Sequence, residues 1–203
     1  MAQQLAAYGA ASGGLADPAA LYFVWGGAND LLTGDSPVSA AQNVADYVGA
    51  LAAMGARNIL VPNLPDLSLT PFVQLAGAVD PLFPAVVQGF SLAFNNTLAA
   101  LLTGLDAASA ADIIQFDTFT FFNEVVANPA AFGFANASDA CLLSPQSCVD
   151  ADAFVFWDDF HPTTAAHAVI ATAFARAVPE PGSVLLLTLA LAVLAACRRS
   201  RAR

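Results

Sequence analysis

The sequence predicts an α/β fold layered about a parallel sheet. Three observations carry that prediction. Short runs are almost wholly apolar, longer stretches place apolar residues at helical spacing, and the two alternate along the chain.

Met1 to Gly14 is alanine-rich and fits one short helix. It lacks the basic start and pure apolar run of a signal peptide. Leu21-Tyr22-Phe23-Val24-Trp25, closed by Gly26-Gly27, predicts a buried strand ending in a tight loop. Val44, Tyr47, Val48 and Leu51 then mark a helix over 39–54, with Gly55 as its stop. Asn58-Ile59-Leu60-Val61-Pro62 is a second strand, and Pro62, Pro65 and Pro71 mark a long loop. Phe83, Val87, Phe90, Phe94, Leu98, Leu101 and Leu105 trace one face of a long helix. Ile113-Ile114-Gln115-Phe116 is a third strand, and residues 123–153 predict irregular chain. Phe154-Val155-Phe156-Trp157 is a further apolar run. After His161-Pro162 comes a last helix with Ala166, Val169, Ile170, Ala173 and Phe174 inward, and Pro162 suits its first turn.

The 203 residues suffice for one domain and a tail, and much of the 58% hydrophobic content is alanine. There is no lysine, and four of the six arginines lie in the last six residues. Residues 1–179 hold 15 of the 16 acidic side chains against Arg57 and Arg176 alone. Such a body repels phosphate backbones, which excludes nucleic acid as a partner.

Cys141 and Cys148 lie seven apart in a polar stretch, a spacing that suits a local disulfide and an oxidising compartment. Two free thiols are the alternative, and no further Cys or His clusters nearby to hold a metal. Past Arg176 the character changes. A break at Val178-Pro179-Glu180-Pro181-Gly182 precedes fifteen uncharged residues, Ser183 to Cys197, and then Arg198, Arg199, Arg201 and Arg203. Apolar residues followed by arginines form a stop-transfer pattern, short for a full span.

Two clusters can carry chemistry. Gly26-Gly27-Ala28-Asn29-Asp30 follows the first strand, where parallel sheets bind ligands. Glycine lets a backbone approach substrate, and an Asn amide can bind an oxyanion; a plain turn with Asn29 or Asp30 capping a helix is the alternative. Asp158-Asp159-Phe160-His161 sets a carboxylate and an imidazole three apart, so Asp158 can orient His161 as a general base. The alternative there is an acidic loop with a helix-capping His. His167, the other histidine, fits a packed or surface position on the last helix.

Together these motifs resemble the SGNH hydrolases, the GDSL lipases and esterases. Gly27, Ala28, Asn29 and Asp30 match the family's Gly-x-Asn-Asp block; Asp158 and His161, followed by Pro162-Thr163, match its Asp-x-x-His block. The resemblance implies a flavodoxin-like three-layer sheet and ester hydrolysis by a Ser-His-Asp mechanism. Catalytic roles then fall to His161 and Asp158, and oxyanion or substrate binding to Asn29 and Gly27. No metal or organic cofactor is implied. The Gly-Asp-Ser-Leu block and the oxyanion glycine of the second block have no match. Gly34-Asp35-Ser36-Pro37 spells a similar tripeptide, but it follows the Asn block and leads into the helix at 39–54. The expectation is therefore a domain over 1–177 that is truncated at its N-terminus and inactive alone. It retains the family's third, fourth and fifth parallel strands, with Leu21–Trp25 as an edge.

The tail, with Pro179, Glu180 and Pro181 ahead of the apolar run, resembles a PEP-CTERM sorting signal over 178–203. That implies export in a Gram-negative bacterium, an exosortase-type processing partner, and membrane attachment through a C-terminal hydrophobic helix before processing. The implied substrate is an ester of a lipid or an acylated sugar. A non-catalytic cell-surface or exopolysaccharide-associated protein of the same fold is the alternative.

Overall fold

A computed structural model describes residues 2–143 and 148–179. Glu180, Pro181 and the hydrophobic tail therefore lie outside the described residues. The first helix, α1, spans Ala2–Ser12, and the edge strand β1 spans Leu21–Phe23. A short helix α2 (Ala28–Thr33) leads into α3 (Pro37–Ala53) and β2 (Asn58–Pro62). After a 3-10 turn at Leu67–Leu69 come α4 (Pro71–Gly77), α5 (Phe83–Ala108) and β3 (Asp112–Phe116). The remainder is α6 (Thr118–Ala127), β4 (Asn136–Ala140), β5 (Phe154–Phe156) and α7 (Thr164–Ala177).

β1, β2 and β3 form a parallel sheet in that order, with Tyr22 opposite Ile59 and Ile59 opposite Ile113. Alternation along β2 divides the core. Ile59 and Val61 enter one apolar cluster with α3 and α5, built on Val44, Val48, Phe94 and Leu98. Leu60 enters a second cluster with α6 and α7, built on Phe122, Val155, Phe156 and Ile170. The result is a mixed α/β fold with helices on both faces of a parallel sheet. Phe94 is fully buried, and burial of such a side chain is worth about 1.5–3 kcal/mol.

Local chemistry explains the helix limits. Ser36 caps α3: its Oγ accepts the Ser39 N–H at 3.1 Å, with Pro37 in the first turn. Gly55 follows the helix at φ 109°, a left-handed conformation that ends it where the sequence places the stop. α5 is long and apolar enough by composition to cross a membrane, yet Val87, Phe90, Phe94, Leu98 and Leu102 pack it into the domain.

Several elements differ from the sequence expectation. β1 is not fully buried; Leu21 and Phe23 are about half exposed because the strand pairs with β2 alone among the described residues. The run at Phe154–Trp157 does not join the main sheet. It pairs in parallel with β4, inside the stretch expected to be irregular. That stretch also contains the end of α6. Pro162 stands before α7 rather than in its first turn. Thr163 is the cap, its Oγ1 accepting the Ala166 N–H and donating to the Phe154 carbonyl, while Pro162 bridges to Phe156.

Candidate active site

Both clusters lie at the carboxyl ends of strands. At the end of β1, Gly27 takes φ 110° and precedes α2. A side chain there is barred twice, by the positive φ and by the ring of Phe94, which a Cβ would overlap. Gly27 is therefore fixed by packing as well as by conformation. Trp25 ties this end of β1 to β2 through its indole N–H, which donates to the Asn63 carbonyl at 3.1 Å. Asn29 follows in the first turn of α2 and is exposed. Among the described residues its side-chain amide has no hydrogen-bond partner.

The second cluster is a tight turn after β5, closed by the Trp157 N–H donating to the His161 carbonyl at 2.8 Å. Asp158 Oδ1 accepts the N–H groups of Phe160 at 2.8 Å and His161 at 2.7 Å. The His161 ring Nδ1 lies 3.0 Å from Oδ1 and 2.9 Å from Oδ2. Desolvation pushes the Asp158 carboxyl up, but the two backbone donors and the imidazole outweigh it and hold it below its ordinary range. With Nδ1–H given to a carboxylate, the lone pair stays on Nε2. The ring is 73% exposed.

The structure brings part of the two clusters together: Gly26, Ala28 and Asn29 line two cavities with His161, whereas Gly27 and Asp158 line neither. A cavity of about 150 Å³ is lined by Asn29, Leu32, Thr70, Phe160 and His161. A neighbouring, largely apolar cavity of about 260 Å³ is lined by Gly26, Leu67, Thr118, Phe122, His161 and Ile170, among others. His167 contributes to its wall as well. Among the described residues neither cavity has a serine in its lining. Ser36 caps α3 and lines neither cavity. The sequence reading missed Thr70, Thr118 and Phe122, which come from distant segments. The Asp117 cap ahead of Thr118 was the one available signal for Thr118: its side chain accepts the Thr120 N–H.

Cys141 and Cys148 are joined by a disulfide, with their Cα atoms 5.1 Å apart. Among the described residues no three His, Cys, Asp or Glu side chains converge to hold a metal ion. Pro179 closes the described chain.

Comparison with known proteins gives this geometry a family. The profile of the GDSL-like lipase/acylhydrolases matches residues 1–174. A GDSL esterase/lipase of Arabidopsis thaliana is 29% identical over 140 residues, 62% of this chain and 38% of that protein. Esterase EstA of Pseudomonas aeruginosa is 32% identical over 191 residues, 85% of this chain and 28% of that protein. The thermolabile hemolysin of Vibrio parahaemolyticus is 31% identical over 148 residues, 63% of this chain and 34% of that protein. The chain thus spans about a third of the length of these relatives. The profile of the PEP-CTERM protein-sorting motif matches residues 177–200, a signal for export and envelope association in Gram-negative bacteria. The chain belongs to the GDSL-like lipase/acylhydrolase family and ends in a PEP-CTERM sorting motif.

Proposed function

We propose that this chain supplies the base and the oxyanion-binding groups of an exported carboxylic-ester hydrolase. The observation that carries the reading is the Asp158–His161 pair, whose His161 lines a cavity with Asn29. In the proposed reaction, Nε2 of His161 takes the proton of a hydroxyl nucleophile as it attacks the ester carbonyl. The Asn29 amide and the Gly27 backbone bind the resulting oxyanion. His161 then returns the proton to the leaving alcohol, and a water activated the same way releases the acid. Asp158 keeps the imidazole in the required tautomer. The nucleophile is a serine from outside the described residues, because none among them lines the His161 cavities.

The substrate class is an ester of a lipid or an acylated sugar. Relatives named esterase and esterase/lipase support an ester substrate. In this reading residues 1–177 form the hydrolase domain and 178–203 the sorting segment. That segment is held in the membrane by the apolar run and handled by an exosortase-type enzyme. The lack of a serine at the His161 cavities among the described residues also suits a non-catalytic surface protein of the same fold.

An activated ester separates the two. With no serine to activate, His161 can still act as a general base toward water, which supports slow hydrolysis. The chain should therefore hydrolyse 4-nitrophenyl acetate slowly, unaffected by a fluorophosphonate. His161→Gln should lower that rate at least about 100-fold. Fast, fluorophosphonate-sensitive turnover would place the nucleophile inside this chain. A rate indifferent to His161→Gln would favour the non-catalytic protein.

A further inference from the structure

The strand that delivers Asp158 and His161 is weakly founded. β5 has three residues and pairs with β4 in a two-stranded sheet apart from the main one. Its ladder is irregular between Asn136 and Ala140, and a two-stranded pair is marginal by itself. Val155 and Phe156 are anchored in the core, but the next residue, Trp157, is 43% exposed. The surrounding chain carries Asp139, Asp150, Asp152, Asp158 and Asp159 with no lysine or arginine among them, so its charges repel one another.

The Cys141–Cys148 bond lies where the core anchoring stops. Cys141 follows β4 directly, and its N–H donates to the Phe156 carbonyl at 3.1 Å. The Leu142 N–H donates to the Trp157 carbonyl at 2.8 Å. These two bonds carry the pairing past the end of β5, up to the residue before Asp158. Trp157 in turn gives its N–H to His161 and closes the turn. Elsewhere the turn region is held by the Phe72 N–H on the Asp159 carbonyl and the Thr163 N–H on that of Val155; neither bond reaches Trp157.

Cys148 stands two residues ahead of Asp150, whose side chain caps the 3-10 turn leading into β5. The disulfide therefore ties the segment beside the end of β5 to the segment that enters its start. Cross-linking a loop removes the states in which its ends part. Here those are the states in which Leu142 leaves Trp157.

We propose that Cys141 and Cys148 are positioning residues for the Asp158–His161 pair: their bond keeps Leu142 on Trp157, and Trp157 keeps the turn in the shape in which the carboxylate meets the imidazole. The meaning for catalysis rests on the ester-hydrolase reading; the clamp on the turn does not. The test compares the full chain, oxidised, with the same chain reduced by a dithiol. The dithiol gives two electrons and two protons to the Cys141–Cys148 bond, leaving two thiols, and itself closes to a ring disulfide. Reduction should move the Asp158 carboxyl, followed by NMR titration, upward toward its ordinary value. It should speed hydrogen exchange of the Trp157 and His161 amides at least about tenfold. Exchange over Ile59–Val61 in the main sheet should be unchanged, and reoxidation should restore the turn. Cys141→Ala with Cys148→Ala should reproduce the reduced chain; reduction itself changes no residue, so it decides the matter if that variant does not fold. An Asp158 carboxyl and turn amides unmoved by reduction would overturn the proposal. So would equal acceleration over Ile59–Val61, the mark of a cross-link that supports the fold as a whole. No ester hydrolysis is read, so a failed clamp and a failed ester chemistry give different results.

Discussion

Asp158 is held by more than its histidine. Two backbone N–H groups and the imidazole all converge on its carboxylate, so the turn is built around the charged form. Because the folded carboxyl titrates below its ordinary value, its contribution to stability is complete above that value. The contribution is lost as pH falls through the folded midpoint. NMR titration should find the Asp158 carboxyl below 3.8, and His161→Ala should move it upward. A midpoint at the ordinary value in the intact protein would mean the turn opens in solution. Asn95 serves a different end. Buried, it accepts the Leu64 N–H at 2.8 Å and donates to the Leu64 carbonyl at 2.9 Å, fixing the loop after β2 that walls the larger cavity.

At the scale of elements, the join between β1 and α2 depends on Gly27. Gly27→Ala should destabilise the fold by roughly 2–4 kcal/mol, from the positive φ and the overlap with Phe94. Chemical denaturation measures this, and a loss under about 0.5 kcal/mol would show that α2 repacks freely. The same element shows what a sequence can and cannot reveal. α3, α5 and α7 announce themselves by apolar spacing, and β2 by a compact apolar run, because each buries its own face. β4 has no such signature. Asn136-Ala137-Ser138-Asp139-Ala140 is poor strand material, and it is extended because it pairs with β5. α6 is not predicted; its one local signal is the Asp117 cap, and the Asn, Pro and Gly that follow mask it. The site divides in the same way. Gly27, Asn29, Asp158 and His161 sit in local motifs, whereas Thr70 and Thr118 reach the cavities only through the tertiary fold.

Across the whole molecule, the main sheet separates two apolar clusters; one motif follows the carboxyl end of its strand β1, and the other follows the carboxyl end of β5 in the second, two-stranded sheet. α7 begins just after His161 and runs for 14 residues, about 21 Å at helical rise. The sorting motif at 177–200 therefore starts at the far end of that helix from His161. In the proposed reaction Asp158 acts through His161 on an ester carbonyl. A double-mutant cycle on 4-nitrophenyl acetate hydrolysis tests it most directly, with Asp158→Asn, His161→Gln and the pair combined. The double variant should be no slower than His161→Gln alone, with Asp158→Asn slower than the intact chain. Losses that multiply independently, or an Asp158→Asn rate equal to that of the intact chain, would contradict it.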